Sequence, residues 1–110
     1  MTSERRPEVH DLKSDPIPFE DAWSGSKKAE VRVNDRNFQV RDWLFVREFR
    51  EGRVQDREFM ARITHIQSGY GLPENLVVLS FQIHEWYVEG QCVTDEQAPV
   101  ADAYALDIGP

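Results

Sequence analysis

Cysteine is almost missing from this chain: Cys92 is the single one in 110 residues. That excludes an internal disulfide and any multi-cysteine metal site. It suits a reducing compartment, and a cytoplasmic location is expected. Long apolar runs are missing too. None approaches the ~20 residues of a membrane-spanning helix, so no membrane partner is expected. The opening Met1-Thr2-Ser3-Glu4-Arg5-Arg6 leads into no apolar stretch of the kind that marks a secretory leader. His10, His65 and His84 share no metal-ligand spacing, so neither a metal nor a cofactor is expected. There is no G-x-x-x-x-G-K phosphate loop, no G-x-G-x-x-G, and no Ser-His-Asp set that can be placed.

The sharpest shortage is of positive charge after Arg62. Residues 63–110 hold seven acidic side chains and no Lys or Arg. Residues 1–25 hold three basic and six acidic groups, and residues 26–62 hold ten basic and seven acidic. The formal net charge of −7 therefore hides a basic middle segment, net +3. Charges beyond a Debye length of ~8–10 Å are largely screened, so this local excess decides what a ligand meets. A long duplex held by charge alone is disfavoured. A short or single nucleotide strand is compatible.

What is present suffices for one folded domain. At this length a chain buries something over ~60% of its unfolded surface. An apolar fraction of 40%, with six Phe, three Tyr and three Trp, supplies a core. Residues 1–9 read as a flexible N-terminus, 10–87 as the domain, and 88–110 as an acidic C-terminal tail or add-on element.

Within the domain, His10-Asp11-Leu12-Lys13 reads as a first strand. Asp15-Pro16-Ile17-Pro18 is a turn into a helix that puts Phe19, Ala22 and Trp23 on one face and stops at Gly25. The period then changes to two. Ala29, Val31 and Val33 alternate with Lys28, Glu30 and Arg32, which predicts a half-buried strand with a charged outer face. Asn34-Asp35-Arg36-Asn37 is turn chemistry. Trp43 to Phe49 predicts a strand buried on both faces at its start, with Trp43 in the core. Arg50-Glu51-Gly52-Arg53 is a hairpin turn, Glu58 to Ile66 the returning strand, and Leu76 to Ile83 a β-branched-rich strand. The interleaved Arg and Glu side chains around the hairpin read as cross-strand ion pairs on a solvated face. One helix and five to six short, evenly spaced strands predict an α+β, mainly β, fold: a small mixed β-barrel with a helix closing one end.

The segment Gly25-Ser26-Lys27-Lys28-Ala29-Glu30-Val31-Arg32 has the spacing G-x-K-x-x-E-x-R. It resembles the signature of the ASCH family, a branch of the PUA-like superfamily. The likeness extends in order over roughly residues 10–83. It takes in His10-Asp11-Leu12-Lys13, Pro18-Phe19, Asn34 to Val40, Asp42, Leu44 to Glu48 and Leu72 to Ser80, and is similar to small bacterial and phage ASCH-like proteins. It implies a PUA-like barrel whose ligand is RNA, single-stranded nucleic acid or a modified nucleoside. It implies a cleft lined by His10, Lys13, Lys27, Glu30, Arg32, Asn34, Asp35 and Arg36. Two departures stand out. The resemblance leads one to expect Gly where this chain has Arg41. In the related small amidohydrolases a catalytic Thr occupies the place of Glu30, which counts against that activity here.

Each candidate has a plain alternative. Lys27, at a strand entry, is either a solvated lysine or a point charge for a phosphate, and a desolvated lysine can act as a base. Glu30 and Arg32 are either a charge pair on a sheet surface or a set that accepts a base amino group and grips a phosphate. Asn34, Asp35 and Arg36 serve a turn or extend a basic rim. His10 and Lys13 line the cleft from the neighbouring strand or serve the scaffold. Trp86 and Tyr87 are candidates for base stacking, or core residues. Three functions remain in play: a nucleic-acid or modified-nucleoside binding module; a hydrolase acting on an acylated nucleoside or on RNA, with Lys27 and Glu30 as its catalytic candidates; and a phage or mobile-element protein that binds a host protein.

Overall fold

A computed structural model describes residues 5–93. The elements run β1 (Val9–Ser14), α1 (Pro16–Trp23), β2 (Ala29–Val33), β3 (Trp43–Arg50), β4 (Arg53–Gln67), β5 (Leu76–Val88) and β6 (Gln91–Cys92). The strands form one sheet in the order β1-β3-β4-β5-β2, with β6 paired to β5. β1 lies parallel to β3, and every other pairing is antiparallel. The fold is α+β and mainly β: a curled half-barrel sheet with a single helix on its inner side.

The curl follows from long strands with bulges. β4 has 15 residues and β5 has 13, and their pairing slips twice, between Met60 and Ala61 and between Ile63 and His65. A bulge bends the strand that carries it and tightens its twist. The β3–β4 hairpin turns through Glu51 and Gly52, at φ 54° and 77°. Two consecutive left-handed residues make the turn whose twist matches the flanking strands.

Alternation sets the inner face. Leu12, Leu44, Val46, Phe59, Ala61, Ile63, Val77, Leu79 and Phe81 are buried there. Helix α1 lays Phe19, Ala22 and Trp23 onto them, and the Phe19 ring sits 5.3 Å from that of Phe59. Each fully buried side chain of this size contributes roughly 1.5–3 kcal/mol. Arg57 fastens the helix to the sheet. It donates twice to the buried Glu48 (3.1 and 3.1 Å), pairs with Glu20 (2.8 Å) and covers the Phe19 and Trp23 rings.

Several sequence expectations change here. β3 is not buried on both faces. Trp43, Phe45 and Phe49 are on its outer side, half-exposed, under Arg62, Arg47 and Lys13 respectively. β5 continues past Ile83 to Val88 and turns into β6, so Val88 and Gln91–Cys92 belong to the sheet, while 94–110 lie outside the described residues. Of the stretch expected to be flexible, residues 1–4 lie outside the described residues. Arg5 and Glu8 are held against Asp42, and Val9 begins β1.

The largest correction concerns β2. Glu30 stands opposite Leu79 and Arg32 opposite Val77, both buried residues of β5. Directly paired residues share a face. Glu30 and Arg32 therefore point to the inner side of the half-barrel, and Val31 and Val33 face outward, 54% and 47% exposed. The charged face of this strand is its inner one.

Candidate functional site

Two polar clusters occupy the inner side. The first lies where β1 meets the turn before β3. Asp42 is fully buried, and its carboxylate accepts five hydrogen bonds. Arg5 donates two (2.9 and 2.9 Å), His10 Nε2 one (2.8 Å), and the backbone N–H groups of Glu8 (3.1 Å) and Gln39 (3.0 Å) the others. Burial alone pushes this carboxyl upward. The bonds from Arg5, His10, Glu8 and Gln39 outweigh it and hold Asp42 well below its ordinary 3.8. The Asp42 hydrogen bond in turn raises Arg5 above its usual value. Phe38 closes the cluster edge-on to His10 at 4.7 Å.

The second cluster carries the G-x-K-x-x-E-x-R residues. Helix α1 ends at Trp23, and the Lys27 N–H donates to Asp21 O (2.9 Å), so the chain enters β2 from under the helix. Lys27 Nζ donates to the Ala29 carbonyl and lies 3.6 Å from Glu30 Oε1. Arg32 Nε donates to Glu30 Oε2 at 2.8 Å. Arg32 Nη2 also reaches across to the Lys13 carbonyl on β1, 3.0 Å away. A guanidinium has five N–H donors, so most of its fork stays available. Lys27, Glu30 and Arg32 keep 26%, 19% and 24% of their side-chain surface exposed, so this cluster is reachable from solvent.

An open cleft of about 550 Å³ lies over this cluster, between β2, the end of β1 and the start of α1. Lys13, Ser14, Pro18, Lys27, Glu30 and Arg32 line it, with Val31 and Val33 along one side. A smaller pocket of about 120 Å³ adjoins it, lined by Gly25, Phe81, Gln82 and Ile83 and sharing Lys27. Together they offer cations for phosphate, a carboxylate for an amino or hydroxyl group, and an aromatic edge.

The structure thus brings Lys27, Glu30 and Arg32 together with the Lys13 backbone. It separates the other candidates from them. His10 is buried on Asp42 and away from the cleft, which gives it a scaffold role. Lys13 turns its ammonium outward, 4.9 Å from the centre of the Phe49 ring. Asn34 accepts the Phe38 N–H (3.3 Å) and braces the turn. Asp35 is exposed beside Arg36, at 3.8 Å. Arg36 Nη1 donates to the Asp11 carbonyl at 2.6 Å. Trp86 donates Nε1 to Trp23 O (3.1 Å) and packs on the core, so it is not free to stack a base. Tyr87 donates to Glu85 (2.5 Å), which pushes its hydroxyl up to about 12. Sequence reasoning missed Arg5 and the central part of Asp42. It also missed Ser14 and Pro18, which only the helix entry brings to the cleft.

The family described as "Domain of unknown function (DUF3850)" matches residues 9–81. This chain belongs to that family. The matched stretch begins at the first residue of β1 and ends on β5, so it contains both polar clusters apart from Arg5 and Glu8. The DUF3850 domain is also similar to the "Uncharacterized 12.9 kDa protein in GpA 3'region" of Escherichia phage P2, 32% identical over 71 residues, or 64% of this chain. The chain spans 65% of that relative's length.

Proposed function

We propose that this DUF3850 domain binds single-stranded nucleic acid, RNA foremost, or a modified nucleoside, on a PUA-like frame of the ASCH kind. The observation that carries the reading is the Lys27–Glu30–Arg32 set on the inner face of β2, exposed to an open cleft. A surface charge pair has no need of an inner face. These three side chains line a concavity, and each keeps hydrogen-bonding capacity. Lys27 and Arg32 suit two phosphate contacts, and Glu30 suits an exocyclic amino group. The whole chain is acidic, which favours a short strand or a single extruded base over a duplex.

The test is titration of the full chain with modified and unmodified nucleosides and short single-stranded oligonucleotides at two salt concentrations, with product analysis. Saturable binding is expected, with a log–log salt slope of about −1.4 for two phosphates on a single strand. Lys27→Ala is expected to abolish it, with the ligand recovered intact. Ligand turned over by the wild type would instead support the hydrolase reading, with the Lys27–Glu30 pair at 3.6 Å as its acid–base couple. A further reading is a phage or mobile-element protein that binds a host protein. That reading gains if neither binding nor turnover is seen.

A further inference from the structure

The sheet order leaves β1 and β2 as its two edges, and the curl turns them toward each other. The backbone bonds at the two ends of β2 fix which of its groups remain open. The Phe81 N–H donates to Lys28 O (3.0 Å), and the Asn34 N–H donates to Asn75 O (2.8 Å). With a period of two between them, Glu30 and Arg32 spend their backbone groups on β5, and Ala29, Val31 and Val33 direct theirs at the open side. The Ala29 carbonyl takes Lys27, and the Val33 carbonyl takes the Asp35 N–H at 2.9 Å. Val31 keeps both N–H and C=O toward the open side, with no backbone partner among the described residues.

Across the gap the situation differs. The Trp43 N–H donates to Glu8 O (2.8 Å), so the even residues of β1 face β3 and the odd ones face the gap. The Asp11 and Lys13 carbonyls there are already taken, by Arg36 and Arg32. One edge is capped by arginines. The other offers a bare strand beside a cationic cluster.

We infer that the free edge of β2 docks an extended acidic peptide, and that its occupant is residues 94–110 of this chain. Three observations select that occupant. The segment carries Asp95, Glu96, Asp102 and Asp107 and no Lys or Arg, and it would meet Lys27 and Arg32. Its larger apolar residues Val100, Tyr104, Leu106 and Ile108 fall at even positions, the period of a strand. The last described residue starts it close by: the Val93 N–H donates to Trp86 O (2.7 Å), and Trp86 touches the end of α1 that also receives Lys27. Seventeen residues span up to roughly 56 Å when extended. Tethering supplies an effective concentration near millimolar, so weak contacts suffice. Carboxylates at Lys27 and Arg32 would then exclude phosphates. That competition rests on the nucleic-acid reading; the docking does not.

The decisive measurement is amide hydrogen exchange of the full chain, resolved at Ala29, Val31 and Val33. Docking predicts a Val31 N–H at least about tenfold slower than an open amide. It also predicts loss of that protection in the variant D95N/E96Q/D102N/D107N and in a variant with residues 94–110 replaced by Gly and Ser. Fast exchange in the wild type overturns the inference, as does protection that survives in the Gly/Ser variant. Protection that grows with protein concentration overturns it in favour of a second copy. Oligonucleotide affinity is read separately. A rise of about fivefold in the neutralised variant supports competition. Oligonucleotide binding absent in the neutralised variant as well, with Val31 protected in the wild type, refutes the nucleic-acid reading alone.

Discussion

Asp42 and Glu30 are both carboxylates on the inner side of one sheet, and both sit beside an arginine. Their surroundings part them. Asp42 is sealed and receives five hydrogen bonds, two of them from Arg5. Glu30 is partly open and holds one short bond, with Lys27 standing off at 3.6 Å. A saturated, buried carboxylate has no capacity left for a ligand, and its value is conformational. A half-satisfied one at a cleft wall can exchange partners at small cost. The same residue type thus marks a joint of the scaffold in one place and a binding surface in the other.

The contrast breaks most visibly at Asp42. Asp42→Ala leaves the buried His10 and the Glu8 and Gln39 N–H groups without their acceptor, and is expected to cost about 3–5 kcal/mol in urea or thermal unfolding. Lys27→Ala is expected to change stability by less than ~1 kcal/mol in the same assay, since its ion pair is partly solvated. If the two variants were equally destabilised, the comparison would fail.

Acid sharpens it further. Asp42 is held below its unfolded value of 3.8, so its contribution is complete above that pH and is lost as pH falls through the lower folded value. Unfolding midpoints measured from pH 6 to 2 are expected to drop below about pH 4. Asp42→Asn should flatten that part of the profile.

A smaller effect is expected one residue away. Arg41 sits at φ 81°, a left-handed conformation that glycine adopts without strain. The Arg41 N–H donates to Ile63 O (2.8 Å), and its carbonyl accepts Arg62 Nε (2.8 Å), so the turn is fixed on both sides. Arg41→Gly is expected to raise stability by about 1 kcal/mol. A loss of stability on denaturant titration would show that the arginine side chain contributes more than the strain costs.

Much of the architecture was readable in the residues. The helix between Pro16 and Gly25, the hairpin at Gly52 and the switch to a period of two at Ala29 each have a local cause. The orientation of β2 had none. Alternation in Ala29-Glu30-Val31-Arg32-Val33 defines two faces, and placing the valines inward is the ordinary choice. Only the register against Leu79 and Val77 reverses it, and register is a tertiary fact. Arg5 was unreadable for a similar reason, since 37 residues separate it from the carboxylate that orders it. Arg41, read as a departure that would alter the turn, does not do so: the backbone there is left-handed, at φ 81°.

The guanidinium caps on β1 also limit how many neighbours a molecule can acquire. Growth of a fibre requires two open edges per unit, one to receive and one to offer. Arg32 and Arg36 occupy the carbonyls of β1, and β6 is two residues long, which leaves β2 as the one substantial edge among the described residues. A unit of valence one ends a chain as soon as it joins it. On this reading edge association runs through β2 alone, in competition with the segment inferred to dock there, and removing the two arginines is expected to open β1 as a second edge.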